Sequence, residues 1–195
     1  MEKYFTELPE DYVLDKVIDV KDDKKAKALF VIGSMVLLGL VFACFLPYLI
    51  NHFPGVVVIK EMTFPWLILM IGLILYIILH ELTHGLFYKI FTREKLTFGL
   101  TLTVAYCGVP NLYLKKVPAL VSAIAPFVVF SFVFGIPLFF VSNYWYFSAL
   151  VFLFASHISG CIGDLYCVIL LAFKYKGKDV LVNDTGPKQS FYVKK

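Results

Sequence analysis

Four stretches of this 195-residue chain are continuously apolar, over about residues 28–50, 64–91, 117–141 and 148–173. A helix needs about 20 such residues to cross the roughly 30 Å of a bilayer's hydrocarbon, and each stretch reaches that length. Pro47 lies near the end of the first, and Pro118, Pro126 and Pro137 are expected to kink or bound the third. Between the second and third runs the pattern changes. In KLTFGLTLTV, residues 95–104, Leu96, Phe98, Leu100, Leu102 and Val104 alternate with Thr97, Gly99, Thr101 and Thr103. That period of two predicts a strand. CGVPN, residues 107–111, predicts a turn, and NLYLKK, residues 111–116, a return strand. The pattern therefore gives a membrane α-helical fold, with four transmembrane helices and a small β-hairpin between helices 2 and 3. It forms one membrane-embedded domain over 1–195, whose polar tails are 1–27 and 174–195.

Composition sharpens this picture. Hydrophobic residues make up 60% of the chain and charged residues 16%, whereas soluble domains carry about 25% charged residues. The formal charge of +4 is not gathered into a basic stripe with interleaved aromatics, so no nucleic-acid partner is expected. The basic residues flank the apolar runs instead. Lys24, Lys25 and Lys27 precede the first; Lys89 sits at the end of the second, and Arg93, Lys95, Lys115 and Lys116 lie between it and the third; Lys174, Lys176 and Lys178 follow the fourth. The other two loops contain only Lys60. The positive-inside rule then makes this a multi-pass protein of the cell membrane, with both termini and the hairpin loop cytoplasmic. The segment before the first run is polar and of mixed charge, and the run is too long for a cleaved signal peptide, so an uncleaved anchor is expected. Cys44, Cys107, Cys161 and Cys167 form no CxxC pair and are expected to be buried thiols rather than a disulfide framework.

Runs one and three contain no ionisable side chain. Run two contains YIILHELTHGLFY, residues 76–88, with His80, Glu81 and His84; run four contains His157 and Asp164. A charge in mid-bilayer costs at least a few kcal/mol and marks a functional site by default. HExxH on a helix places two imidazoles one turn apart on one face, where they can share one Zn2+. Glu81 is then free to hold a water and take its proton. A third protein ligand is needed, with the fourth position left for water. Asp164 is the only other acid in the four runs. His84 lies nine residues before Arg93 and Asp164 ten before Lys174, so both sit roughly 14 Å from a flanking charge at about 1.5 Å per residue. Cys161, about one turn before Asp164, is the alternative third ligand. His157 lies seven residues before Asp164, too far for the same shell in a regular helix. It is expected to hydrogen-bond beside the site, or to support a substrate oxyanion if the helix bends at its glycines. Ser156, Ser159, Gly160 and Gly163 are small enough to let helices approach closely. Asn111 is expected to shape its turn or to hold substrate backbone. Asp184-Thr185-Gly186 reads as a solvated turn.

HELTHG in one apolar helix and SGCIGDLY in the last one resemble the "putative zincin peptidase" family, which is itself similar to the site-2 proteases, the intramembrane metalloproteases. The resemblance covers most of the chain, from helix 1 to helix 4. It implies an aspartate ligand two spans after the HExxH helix, a role that falls on Asp164. It also implies strands after that helix, which residues 95–116 match. The chain departs from the site-2 pattern in carrying GDL rather than an LDG-type motif, and it has no PDZ-like module. The function expected is a zinc-dependent endopeptidase that cleaves membrane proteins or peptides near the cytoplasmic side of the bilayer. The alternative is a metal-binding membrane protein without enzymatic activity, a transporter component or a protease-like scaffold.

Overall fold

The computed structural model describes residues 3–100 and 105–195. Short strand β1 (Tyr4–Phe5) and β2 (Tyr12–Asp19) precede α1 (Lys24–Asn51). Asp23 caps α1 by accepting from the N–H groups of Lys25 and Ala26, two donors the first turn leaves free. Helix α2 (Ile59–Thr92) follows and ends at Arg93, whose φ of 60° breaks the helical path. Then come β3 (Thr97–Leu100), β4 (Ala105–Gly108), β5 (Tyr113–Lys115), α3 (Lys116–Gly135), α4 (Tyr144–Gly160), α5 (Ile162–Ile169), β6 (Val180–Asp184) and β7 (Lys188–Lys194). Asn143 caps α4 through Trp145 and Tyr146.

α1, α2 and the segment Lys116–Phe139 that contains α3 are each long and apolar enough to cross a membrane, and Tyr144–Gly160 with Ile162–Lys174 makes a fourth such unit when the bent pair is taken as one span. Their outer faces are apolar: Ile32, Met35 and Leu40 of α1 and Ile71, Leu75 and Leu86 of α2 are all exposed. The fourth apolar run is not the single helix its composition suggested. It breaks at Cys161 and bends by 42°. Cys161 N–H still reaches the His157 carbonyl at 3.2 Å and its own carbonyl receives Leu165 N–H at 2.9 Å, so the bend costs little backbone bonding. A π-helical turn, Leu170–Lys174, closes this unit.

The strands correct the expected hairpin. β3 pairs antiparallel with β4, from Thr97 opposite Gly108 to Leu100 opposite Ala105. Cys107 and Gly108, expected in a turn, are thus in a strand, and the expected strand positions 101–104 lie outside the described residues. NLYLKK does not return along β3. Its strand, β5, pairs with β1 on one side and β6 on the other. Both polar tails also form strands. β1, β5, β6, β7 and β2 form one five-stranded sheet in that order, with every pair antiparallel. Segments from before α1, between α2 and α3, and after α5 therefore meet at one end of the helices.

The core lies where this sheet meets the helix ends. Leu114, Val180, Val182 and Phe191 of the sheet pack in one cluster with Leu171 and Tyr175, all 0–2% exposed. Burying each such side chain contributes about 1.5–3 kcal/mol. The two-stranded β3–β4 unit rests on α2 at Gly85, where a Cβ would come 2.8 Å from the Phe98 ring and 3.1 Å from Leu96. The glycine that ends HELTHG thus lets the hairpin sit directly against the histidine helix.

Candidate metal centre

α2 carries His80, Glu81 and His84 at helical spacing. The bend at Cys161 turns the start of α5 toward them, and Asp164 sits in its first turn. Three donor atoms converge. His80 Nε2 lies 3.2 Å from His84 Nε2, His80 Nε2 lies 3.2 Å from Asp164 Oδ2, and His84 Nε2 lies 3.3 Å from Asp164 Oδ1. A tetrahedral zinc with ligands at about 2.0–2.2 Å requires neighbouring donors to be about 3.3–3.5 Å apart. The spacing, and a donor set of two imidazoles and one carboxylate, fit that ion. The two histidines are 8% and 7% exposed, and the Asp164 side chain is 18% exposed.

The outer nitrogens of both imidazoles are held. Nδ1 of His84 lies 2.8 Å from the Ser122 carbonyl oxygen in α3. A carbonyl only accepts, so Nδ1 carries the proton and Nε2 presents its lone pair to the centre. Nδ1 of His80 lies 3.1 Å from the Tyr76 hydroxyl, and that hydroxyl lies 3.1 Å from Nδ1 of His157. Nε2 of His157 faces the Phe127 carbonyl and Ser131 Oγ, both at 3.2 Å. The proton directions follow from the carbonyl at the far end. His157 Nε2–H donates to Phe127 O, Tyr76 O–H donates to His157 Nδ1, and His80 Nδ1–H donates to Tyr76. The lone pair of His80 Nε2 is then also aimed inward.

His157 therefore stands beside the site, fully buried, and reaches it through Tyr76. Cys161 Sγ lies 3.6 Å from His157 Nδ1 and 3.9 Å from the Tyr76 hydroxyl. The donor atoms of Cys161, His80 and Asp164 also fall within 4.8 Å of one another, so the thiol is within reach of an ion that would be held there. His84 makes the tighter triangle with His80 and Asp164, whereas the thiol's nearest polar partners are Tyr76 and His157. Asn111 does not join the centre. It is exposed in a turn that Asn183 Nδ2 braces through the carbonyls of Pro110 and Leu112, at 2.8 and 2.9 Å.

A cavity of about 620 Å³ opens beside the three donors. Glu81, half-buried, lines it with Ala105, Tyr106 and Cys107 of β4, Ser34 of α1 and Gln189 of β7. Burial pushes the Cys107 thiol up to about 12, with the nearby Glu81 and Asp184 carboxylates adding to the effect, so it stays a neutral thiol. Asp184 also borders this cavity and corrects the solvated-turn expectation. It is 5% exposed. Its Oδ2 accepts from the Tyr88 hydroxyl at 2.5 Å and from Gln189 Nε2 at 3.3 Å, and its Oδ1 accepts from Gly186 N–H at 2.8 Å. The turn itself is real: Gly186 adopts φ 98°, a conformation suited to glycine. Burial is the main influence on the Asp184 carboxyl and raises it above its ordinary range.

Tyr76 and Ser122 escaped the motif reading. Tyr76 lies four residues before His80, the spacing that puts it on the same helix face. Ser122 contributes through its carbonyl, for which its side chain gives no signal.

An α-helical protein with a paired-histidine helix, a carboxylate from a second helix and a glutamate on the cavity wall has the donor set of a zincin-type metallopeptidase. The chain belongs to the family described as "putative zincin peptidase", which matches residues 73–178, more than half of its length. That span runs from the turn before Tyr76 to just before β6 and includes every residue of the centre. No curated protein and no solved structure matches the chain.

Proposed function

We propose that this protein is a zinc-dependent intramembrane endopeptidase that hydrolyses peptide bonds of membrane proteins or membrane-inserted peptides near the cytoplasmic side. The carrying observation is the 3.2–3.3 Å triangle of His80, His84 and Asp164 beside a cavity that Glu81 lines. The family supports the metallopeptidase part of this reading. The apolar outer faces of the helices and the basic residues around the sheet support its membrane setting and its orientation.

His80, His84 and Asp164 would hold the ion. Zinc, when bound, supplies a Lewis acid that polarises a carbonyl and makes water more acidic. Glu81 accepts the proton of the attacking water as the C–O bond forms, then gives it to the leaving nitrogen as the C–N bond breaks. The products are a carboxylate and an amine. A helical substrate shields its peptide bonds, so it must be drawn into an extended form. The hairpin of β3 and β4 supports that step, because Leu100, Ala105, Tyr106 and Cys107 line the cavity and a substrate strand can add to a free sheet edge.

Glu81→Gln is the test. In detergent or liposomes, with a single-span peptide substrate, the rate is expected to fall by at least about 100-fold while zinc content stays at the wild-type level. A fully active Glu81→Gln protein would remove the hydrolase reading. It would leave the metal-binding membrane protein without peptidase activity as the better description.

A further inference from the structure

Helix α3 carries no ionisable residue from Val117 to its end, yet both imidazoles of the centre are anchored on it. The His84 anchor is the Ser122 carbonyl. In a regular helix that oxygen would accept from the N–H of the residue four positions on. That residue is Pro126, inside α3, which has no N–H, and whose ring also crowds the carbonyl four residues before it. We propose that Pro126 is a positioning residue for the metal centre. By withholding the helical donor it reserves the Ser122 carbonyl for His84 Nδ1–H, which fixes the ring orientation and keeps the Nε2 lone pair turned toward His80 and Asp164.

The surroundings leave the carbonyl few other uses. Ser122 is fully buried, and Pro126 has less than 2% of its surface exposed. An unpaired buried carbonyl costs about 1–3 kcal/mol, so the gap left by Pro126 is filled by the nearest donor, the imidazole. The Phe127 carbonyl, one residue after the proline, anchors the His80 arm through His157 and Tyr76. A segment of α3 little more than one turn long thus directs both ligand lone pairs inward. Groups that orient metal-bound histidines are worth about 10–100-fold in affinity.

This inference rests on the metal reading above, and its test separates the two. Pro126→Ala restores the N–H and relieves the ring, so the helix should become no less stable, while the carbonyl swings back toward the helix axis. Zinc affinity, measured by chelator competition on the purified full chain, is expected to weaken by about tenfold, with the thermal midpoint unchanged or raised. A merely structural role for the proline would move the midpoint and not the affinity. Pro126→Leu, which also restores the N–H, should behave alike and covers failure of the alanine variant to fold. In metal-free protein, 15N spectra of the histidines should show a strongly hydrogen-bonded His84 Nδ1–H in the wild type and a weakened one in the variants. Wild-type affinity together with an unchanged His84 Nδ1–H signal in either variant would overturn the role of Pro126. A wild type that takes up no zinc would remove the metal reading instead, and the metal-free spectra would still decide the proline's role.

Discussion

Asp164 and Asp184 are two acids set into the same cavity wall, and their neighbours differ in kind. Asp164 faces two imidazole nitrogens whose protons point away from it, at 3.2 and 3.3 Å. Lone pairs facing lone pairs are unfavourable until a cation or a proton sits among them. Among the described residues Asp184 faces only donors: the Tyr88 hydroxyl, the Gly186 N–H and the Gln189 amide. It is already satisfied and needs no ion. On the proposed reading one carboxylate belongs to a binding site, whereas the other fastens the β6–β7 turn to α2 one turn below His84. Burial alone does not distinguish them; the direction of the surrounding protons does.

Exchanging the two residues for alanine breaks this comparison most sharply. Asp164→Ala should weaken zinc binding by more than the roughly 10–100-fold attached to groups that only orient ligands, with the fold retained. Asp184→Ala should leave zinc stoichiometry intact. It should instead lower stability by about 1–3 kcal/mol, because the Tyr88 hydroxyl and the Gly186 N–H lose their acceptor. Thermal unfolding in detergent and metal analysis of the same samples check both.

Acidity sharpens the contrast further. Burial raises the Asp184 carboxyl above the ordinary 3.8. A group whose folded value is raised favours the folded state most below the unfolded value, and that contribution is lost as pH rises through the folded value. Wild-type stability should therefore decline across the window just above pH ~4 relative to Asp184→Asn, which has no carboxyl to ionise. Parallel midpoint-against-pH curves for the two proteins would contradict this.

The smallest effect is expected at the rim of the sheet. Lys174 pairs with Asp15 at 2.5 Å, but the two side chains are 42% and 37% exposed. Lys174→Ala should cost less than about 1 kcal/mol and leave zinc binding unchanged. A larger loss would mean that the contact between β2 and the π-helical turn matters more than its exposure implies.

The apolar helices and the HExxH motif are legible in the chain because each depends on local spacing: 3.6 residues per turn for the histidines and run length for the helices. Asp164 could be singled out because acids are so scarce in the apolar runs. The folded tails are harder to read. β1 has two residues and β5 has three, too few for a period of two to stand out, and their partners lie more than 60 residues away in sequence. Two apolar strands flanking Asp184-Thr185-Gly186 did carry a hairpin signal. The bend at Cys161 falls at small residues that equally suit close helix packing. Ser122 acts through its backbone, so only Pro126, four residues later, marks it.

X-ray absorption at the zinc edge of the purified wild-type protein tests the centre most directly. Three protein donors of nitrogen and oxygen, two of them imidazole, are expected at about 2.0–2.2 Å, with no sulfur. A zinc–sulfur distance of about 2.3 Å would put Cys161 in place of Asp164, and a protein that binds no zinc would contradict the account outright.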